Sequence, residues 1–211
     1  MPITTFLFDL DDTLYPPSSG IWDLIGERID LFMHDQVGLA WEEIPALRKA
    51  YFTNYGTTMR GLVVNYHINP EDYLNFVHQV PIEALIHPDP QLTALLSSFP
   101  QNKVIFTNAN EQHARRVLRA LQLEPVFDQI IDVRQVAPFC KPQPEAYLLA
   151  LKLTREALPQ NCLVIDDSPR NLSAAAALGF PTVLVGPARP EPGILYTIPS
   201  LNELARVVAS S

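Results

Sequence analysis

Cysteine is scarce in this 211-residue chain, and an excess of basic charge is missing altogether. The two cysteines, Cys140 and Cys162, have neither the density of a disulfide scaffold nor the paired spacing of a metal motif. Both read as reduced thiols, and a cytoplasmic location is expected. Lys plus Arg number 15 against 23 Asp plus Glu, giving a formal charge of -8 and an isoelectric point near 5.0. Such a balance provides no global field for a polyanion, so bulk nucleic-acid binding is not expected, although a local cationic site can still take a small phosphate. No apolar run reaches membrane-spanning length. Met1-Pro2-Ile3-Thr4 leads straight into the first apolar segment, with no basic stretch and no small-residue cleavage site, so neither an anchor nor an export signal is expected. There is no internal repeat.

What the chain does have is a hydrophobic content of 47%, ample for a packed interior, and one unusual stretch near its start, Phe6-Leu7-Phe8-Asp9-Leu10-Asp11-Asp12-Thr13-Leu14-Tyr15-Pro16. An apolar run stops there at three carboxylates within four residues. A short apolar run bounded by turn formers is what a strand covered on both faces looks like, so residues 7–9 predict the end of a strand with acids at its carboxyl end. Ligands bind at that edge of open α/β sheets. Asp12 and Thr13 read as local turn and capping residues.

Residues 16–88 change character. Ile21, Ile25, Ile29, Phe32 and Met33 fall on a helical stripe, and further helical stretches are predicted over 47–55, 59–66 and 71–77. The joints Tyr15-Pro16-Pro17-Ser18-Ser19-Gly20 and Ile86-His87-Pro88-Asp89-Pro90 have the composition of domain boundaries. A helical insertion over 16–88 is expected between the two parts of a core, 1–15 and 89–211. From 91 onward, helix and strand alternate: helices over 91–99, 111–122, 144–153 and 169–178, strands over 103–107, 129–132, 162–166 and 182–185, and a closing helix over 201–208. Asn110 and Ser168 are in place as N-caps, Pro169 at a first helical position and Gly179 just past a helix end. Repeated βα units predict an α/β fold with a doubly wound parallel sheet and right-handed crossovers. Residues 186–193 are too rich in proline for regular structure.

The polar punctuation of this sheet is ordered: Asp9 and Asp11, then Thr107-Asn108, then Lys141, then Asp166-Asp167. In that order the chain resembles the haloacid dehalogenase superfamily, whose motifs are DxDx[TV] after the first strand, a later Ser or Thr, a Lys and an acidic pair. The resemblance covers the whole chain and implies a Rossmann-like core. It implies Asp9 as a nucleophile that forms an aspartyl-phosphate, splitting one hard step into two, and Asp11 as the acid/base that protonates the leaving alcohol and then deprotonates water. Two acids so close are useful only if their surroundings separate their pKa values. Thr107, Asn108 and Lys141 are implied as phosphate-binding groups, the ammonium cancelling charge that Asp9 would otherwise meet. Magnesium prefers hard oxygen ligands, and the resemblance implies Asp9, the main-chain carbonyl of Asp11, Asp167, and Asp166 directly or through water. Asp166 and Asp167 followed by Ser168-Pro169 can also serve as caps of the next helix.

In the same superfamily, a helical insertion after the first motif closes over small substrates. The stretch Tyr55-Gly56-Thr57-Thr58-Met59-Arg60-Gly61-Leu62, with the first motif and Thr107-Asn108-Ala109, is similar to the pyrimidine 5'-nucleotidase branch. That implies hydrolysis of a nucleoside 5'-monophosphate, a small phosphorylated metabolite, with Thr58, Arg60, Asn110 and His113 as substrate contacts. Plainer roles stay open: Arg60 as an ion-pair partner, Asn110 as a cap only, His113 as a surface residue of its helix. So do a sugar-phosphate phosphatase, a phosphomutase and a phosphate-ligand binding module without turnover. Asp11 counts against dehalogenation, which needs the nucleophile but not the second acid or a metal.

Overall fold

The computed structural model describes residues 2–187 and 192–208, so positions 188–191 of the proline-rich segment lie outside the described residues. The chain forms two compact units, one of residues 1–19 and 86–211, the other Gly20–Leu85.

The first unit is built on a six-stranded parallel sheet in the order β3-β2-β1-β4-β5-β6. Its strands are β1 (Thr5–Phe8), β2 (Asn102–Phe106), β3 (Gln129–Ile131), β4 (Cys162–Asp166), β5 (Thr182–Val185) and β6 (Tyr196–Ile198). β1, β4 and β5 are buried along their whole length, which is why they read as unbroken apolar runs. The order reverses at β1, which pairs with β2 on one side and β4 on the other. Phe8 lies opposite both Ile105 and Ile165, so the next residues along, Asp9, Phe106 and Asp166, end three neighbouring strands together.

The crossovers are α6 (Pro90–Ser98), α7 (Glu111–Ala120), α8 (Pro144–Leu153) and α9 (Pro169–Ala177), with α10 (Leu204–Val208) last. On one side Leu7, Val104, Phe106, Val164 and Leu184 pack with Tyr147, Ala150, Leu172 and Ala175. Each large side chain so buried contributes about 1.5–3 kcal/mol. α9 shows how local sequence sets an element: Ser168 accepts from the Asn171 amide, Pro169 opens the helix, and Gly179 takes φ 87° beyond its end while donating to Ala176.

The second unit is helical: α1 (Ile21–Asp35), α2 (Ile44–Tyr55), α3 (Thr58–Tyr66), α4 (Pro70–Val77) and the single turn α5 (Ile82–Leu85). The stripe on α1 is buried, and Phe32 meets Tyr73 of α4 edge-on with ring centroids 5.1 Å apart. Arg28 stacks its guanidinium 4.3 Å from the Phe76 ring and donates to the Phe76 carbonyl at 2.6 Å. Gly61 is required by close approach, since a Cβ there would sit 2.2 Å from Cγ of Tyr51. Among the described residues, no helix is long and apolar enough to cross a membrane.

Candidate active site

The site forms where the central strands end. Asp9 still belongs to the ladder, donating its amide to Ile165 at 2.8 Å, and Thr107 does the same to Ile131 at 3.0 Å. Beyond Asp9 the chain leaves the sheet in a tight turn closed by Leu14 N–H to Leu10 C=O at 3.0 Å, with Asp12 at φ 59°. Aspartate tolerates this left-handed conformation better than most side chains, which suits Asp12 to the turn.

Lys141 reaches into the strand ends from the loop before α8. Its Nζ lies 2.6 Å from Asp9 Oδ1 and 2.7 Å from Asp166 Oδ2, with the residue only 2% exposed. Burial works to lower the ammonium, but Asp166 and Asp9 outweigh it and hold the group above its ordinary value. The loop is fixed from behind: Asn108 accepts from the Lys141 amide at 2.9 Å and donates to its carbonyl at 3.0 Å. Both ends of the Asn108 amide thus serve to place Lys141, while Thr107 accepts from the Ala109 amide at 3.0 Å.

Asp166 is fully buried and receives Lys141, the Ser168 amide at 2.8 Å and both of its oxygens' contacts from Asn171 at 3.1 Å. Asp167 is met by the Thr13 hydroxyl, 3.3 Å from Asp167 Oδ1 and 3.5 Å from Asp9 Oδ2. Carboxylate oxygens of Asp9, Asp166 and Asp167 lie within 4.8 Å of one another. Burial pushes the Asp9 carboxyl well above its usual range, Lys141 opposes, and Asp166 and Asp167 add to the rise. Burial and the Asp166 charge push Asp167 up to about 6. One ammonium, in contact with Asp9 and Asp166 only, faces a cluster of three acids, and with all three ionised two negative charges on hard oxygens would be left over, which fits the demand of a divalent cation such as magnesium.

Asp11 faces a different set. Its Oδ1 accepts from the Tyr15 hydroxyl and from His113 Nε2 at 2.7 Å. Burial, then the charge of Asp11 and its hydrogen bond, push the Tyr15 hydroxyl above its ordinary value, so it remains a donor. His113 is not a surface residue: it is 1% exposed, in the first turn of α7, and Asn110 caps that helix by accepting the His113 amide at 3.0 Å. The structure therefore brings Asp9, Asp11, Thr107, Asn108, Asn110, His113, Lys141, Asp166 and Asp167 into one unit. Thr58 and Arg60 stand at the start of α3 in the helical unit, where Thr57 caps the helix by accepting the Arg60 amide at 3.1 Å.

The family model for haloacid dehalogenase-like hydrolases matches residues 3–179. The chain belongs to this family. Phosphate metabolism protein 8 of Saccharomyces cerevisiae is 28% identical to this haloacid dehalogenase-like hydrolase over 193 residues, which is 85% of the chain. The chain spans 60% of that relative's length. The HAD-hydrolase YfnB from Bacillus subtilis, solved bound to magnesium, shares its fold at 20% identity and a TM-score of 0.67, covering 99% of this chain and 100% of that one. The L-2-haloacid dehalogenase from Xanthobacter autotrophicus, solved with chloropropionic acid covalently bound, does so at 16% identity and a TM-score of 0.60, covering 98% of each chain. The fold is common to hydrolases of different chemistry, so the reaction must be argued from the side chains.

Three residues of this hydrolase's site escaped the sequence reading: Tyr15, Thr13 as a bridge between Asp9 and Asp167, and Asn171. Asn171 had a usable signal, since it stands three residues after the Ser168 cap and so returns over the strand end. For Tyr15 there was none, because nothing in the composition of residues 9–15 shows that the loop winds back on itself.

Proposed function

We propose that the chain is a magnesium-dependent phosphomonoester hydrolase that works through an aspartyl-phosphate on Asp9 and acts on a nucleoside 5'-monophosphate. The observation that carries the chemistry is the separation of the two acids: Asp9 is held by Lys141 at 2.6 Å, and Asp11, two residues on, is held by Tyr15 and His113. A dehalogenase has no use for the second arrangement.

An Asp9 oxygen attacks phosphorus while the ester oxygen departs with a proton from Asp11. In the second half Asp11 takes a proton from water as that water attacks phosphorus, releasing inorganic phosphate and restoring Asp9. Lys141 keeps Asp9 and the incoming phosphoryl oxygens from repelling each other, and the Thr107 hydroxyl lies at the same edge to hold one of those oxygens. Asp9, Asp167 and the Asp11 carbonyl, with Asp166 directly or through water, would hold the cation, which when bound supplies Lewis-acid charge to the phosphoryl group. The relative solved with magnesium supports this choice of ion. With Asn110 and His113 both engaged inside the α/β unit, selectivity for the nucleoside is assigned to the helical unit, through Thr58 and Arg60.

The test is phosphate release from 4-nitrophenyl phosphate with magnesium, followed by a panel of nucleoside monophosphates and sugar phosphates. Asp9→Asn should abolish turnover, and Asp11→Asn should lower it by about 10²–10⁴-fold. Full activity in either variant would sink the mechanism. A clear preference for sugar phosphates would refute the nucleotide assignment and leave the hydrolase standing. Phosphate esters bound without turnover would favour a binding module.

A further inference from the structure

The surroundings of Asp11 go beyond what an acid/base needs in order to exist. Two donors converge on one of its oxygens, Oδ1: the hydroxyl of Tyr15, from the same turn, and Nε2 of His113, 102 residues away on α7. Each donor is itself immobilised. Tyr15 is 3% exposed and His113 is 1% exposed, and the His113 backbone is tied to Asn110 at 3.0 Å. Buried aromatic and imidazole rings have only two side-chain torsions, so once packed they define a direction. A carboxylate oxygen accepts, so Nε2 of His113 carries the proton in this pair.

Resting on the phosphomonoester hydrolase reading, we propose that Tyr15 and His113 are positioning residues for Asp11: both donate to Oδ1, fix the plane of the carboxyl, and make Oδ2 the oxygen that exchanges the proton. A proton placed on Oδ1 would have to displace one of these donors, whereas a proton on Oδ2 leaves both in place. The exchange then balances over the cycle. As an Asp9 oxygen bonds to phosphorus and the ester P–O bond breaks, the Oδ2 proton passes to the leaving oxygen. As water attacks and the Asp9–phosphorus bond breaks, a water proton returns to Oδ2. Oδ1 keeps its two donors throughout. The role also differs from that of a substrate contact, because Nε2 is already engaged by Asp11 and a ligand would have to take it away. A substrate contact would show in KM. A positioning residue shows in kcat.

The discriminating experiment compares phenyl phosphate with 4-nitrophenyl phosphate, two substrates of nearly the same shape whose leaving oxygens differ in their need for a proton. Tyr15→Phe keeps the ring and removes one oxygen. Because a misplaced general acid forfeits part of a 10²–10⁴-fold contribution, this variant should lose about 100-fold in kcat on phenyl phosphate and about 10-fold on 4-nitrophenyl phosphate. KM should stay within about twofold on both. His113→Leu should behave alike, and His113→Gln, which returns an N–H donor at similar reach, should recover most of the loss. Should His113→Leu fail to fold, Tyr15→Phe decides alone. Equal losses in kcat/KM on the two substrates, a ratio that ends at leaving-group departure and so excludes the shared hydrolysis of the aspartyl-phosphate, or a loss confined to KM, overturn the positioning role. Tyr15→Phe indistinguishable from wild type while Asp9→Asn is dead overturns it and leaves the hydrolase reading intact. Turnover that survives Asp9→Asn overturns both.

Discussion

Replacing Lys141 by Met tests the electrostatics of the site in the folded protein before any substrate is added. Methionine keeps much of the stem and removes the ammonium that lies 2.6 Å from Asp9 and 2.7 Å from Asp166. Deleting one partner of a buried ion pair costs about 3–5 kcal/mol, a large share of the 5–15 kcal/mol that holds a typical domain together. The loss must depend on pH. Without Lys141, the influences remaining on Asp9 (burial, Asp166 and Asp167) all raise its pKa. A group whose folded pKa lies above its unfolded value contributes stability that is fully present below the unfolded pKa and lost as pH rises through the folded one. The variant should therefore be penalised by about 3–5 kcal/mol at pH 8 and by about 1–2 kcal/mol at pH 5, where a buried acid takes a proton instead. In the wild type the raised Lys141 loses its own contribution only above its ordinary pKa near 10.5, outside this window. Urea unfolding in the presence of a chelator reads the difference, followed by far-UV circular dichroism because Trp22 and Trp41 both lie in the helical unit. An equal loss at both pH values, or one under about 1 kcal/mol at pH 8, would refute the reasoning.

Two further substitutions test the scaffold. Burial works to raise the Glu156 carboxyl, but hydrogen bonds from Thr5, Thr4 and Asn161 outweigh it and bring the group below its ordinary value. Its stabilising contribution is therefore present above the unfolded pKa and lost as pH falls through the folded one. Thr5→Val, which removes the donor 2.6 Å from Oε1, should cost about 1 kcal/mol at pH 7 and progressively less below pH 4; a pH-independent difference would count against it. In the helical unit, Gly61→Ala sets a gain in helix propensity of up to about 1 kcal/mol against a Cβ placed 2.2 Å from Tyr51 Cγ and 2.4 Å from Tyr51 Cβ. The Tyr51 Cβ sits on the backbone and cannot swing aside, so overpacking of about 1–3 kcal/mol wins and the tryptophan-monitored unfolding midpoint should fall. A midpoint unchanged or raised would mean that α2 and α3 separate more easily than their contact suggests.

What could be read in advance follows from how each feature is encoded. Cys162–Asp166 and Thr182–Val185 are strands buried on both faces, and their apolar runs announce them at full length. β6 went unread because it is only three residues, Tyr196–Ile198, half-exposed at the sheet edge and followed by Pro199. The single turn Ile82–Leu85 covers barely one helical period, and a periodicity needs several to show. His113 illustrates a signal present but unused: it stands four residues before Val117, on the buried stripe of α7 with Ala114, Val117 and Leu118. Helical periodicity shows that such a histidine faces inward, but its partner comes from residue 11, and no local pattern carries a contact across 102 positions.

Asp9 and Asp11 are the same residue type two positions apart, and the fold makes them unlike through where each sits relative to the ladder. Asp9 is the last residue whose amide still bonds to the neighbouring strand, at 2.8 Å to Ile165, so its side chain is aimed by the sheet into the cluster of Lys141, Asp166 and Asp167. Asp11 lies beyond the point where the chain turns off, and its orientation is set by side chains, Tyr15 and His113. The first environment is dense in formal charge and changes the energy of the ionised form, which is what a nucleophile beside a cation requires. The second supplies directed donors, which constrain where a proton can sit and suit a group that must give one up and take one back at a single place. Strand register thus separates the two environments on which the proposed roles rest, where the spacing of the residues leaves them side by side.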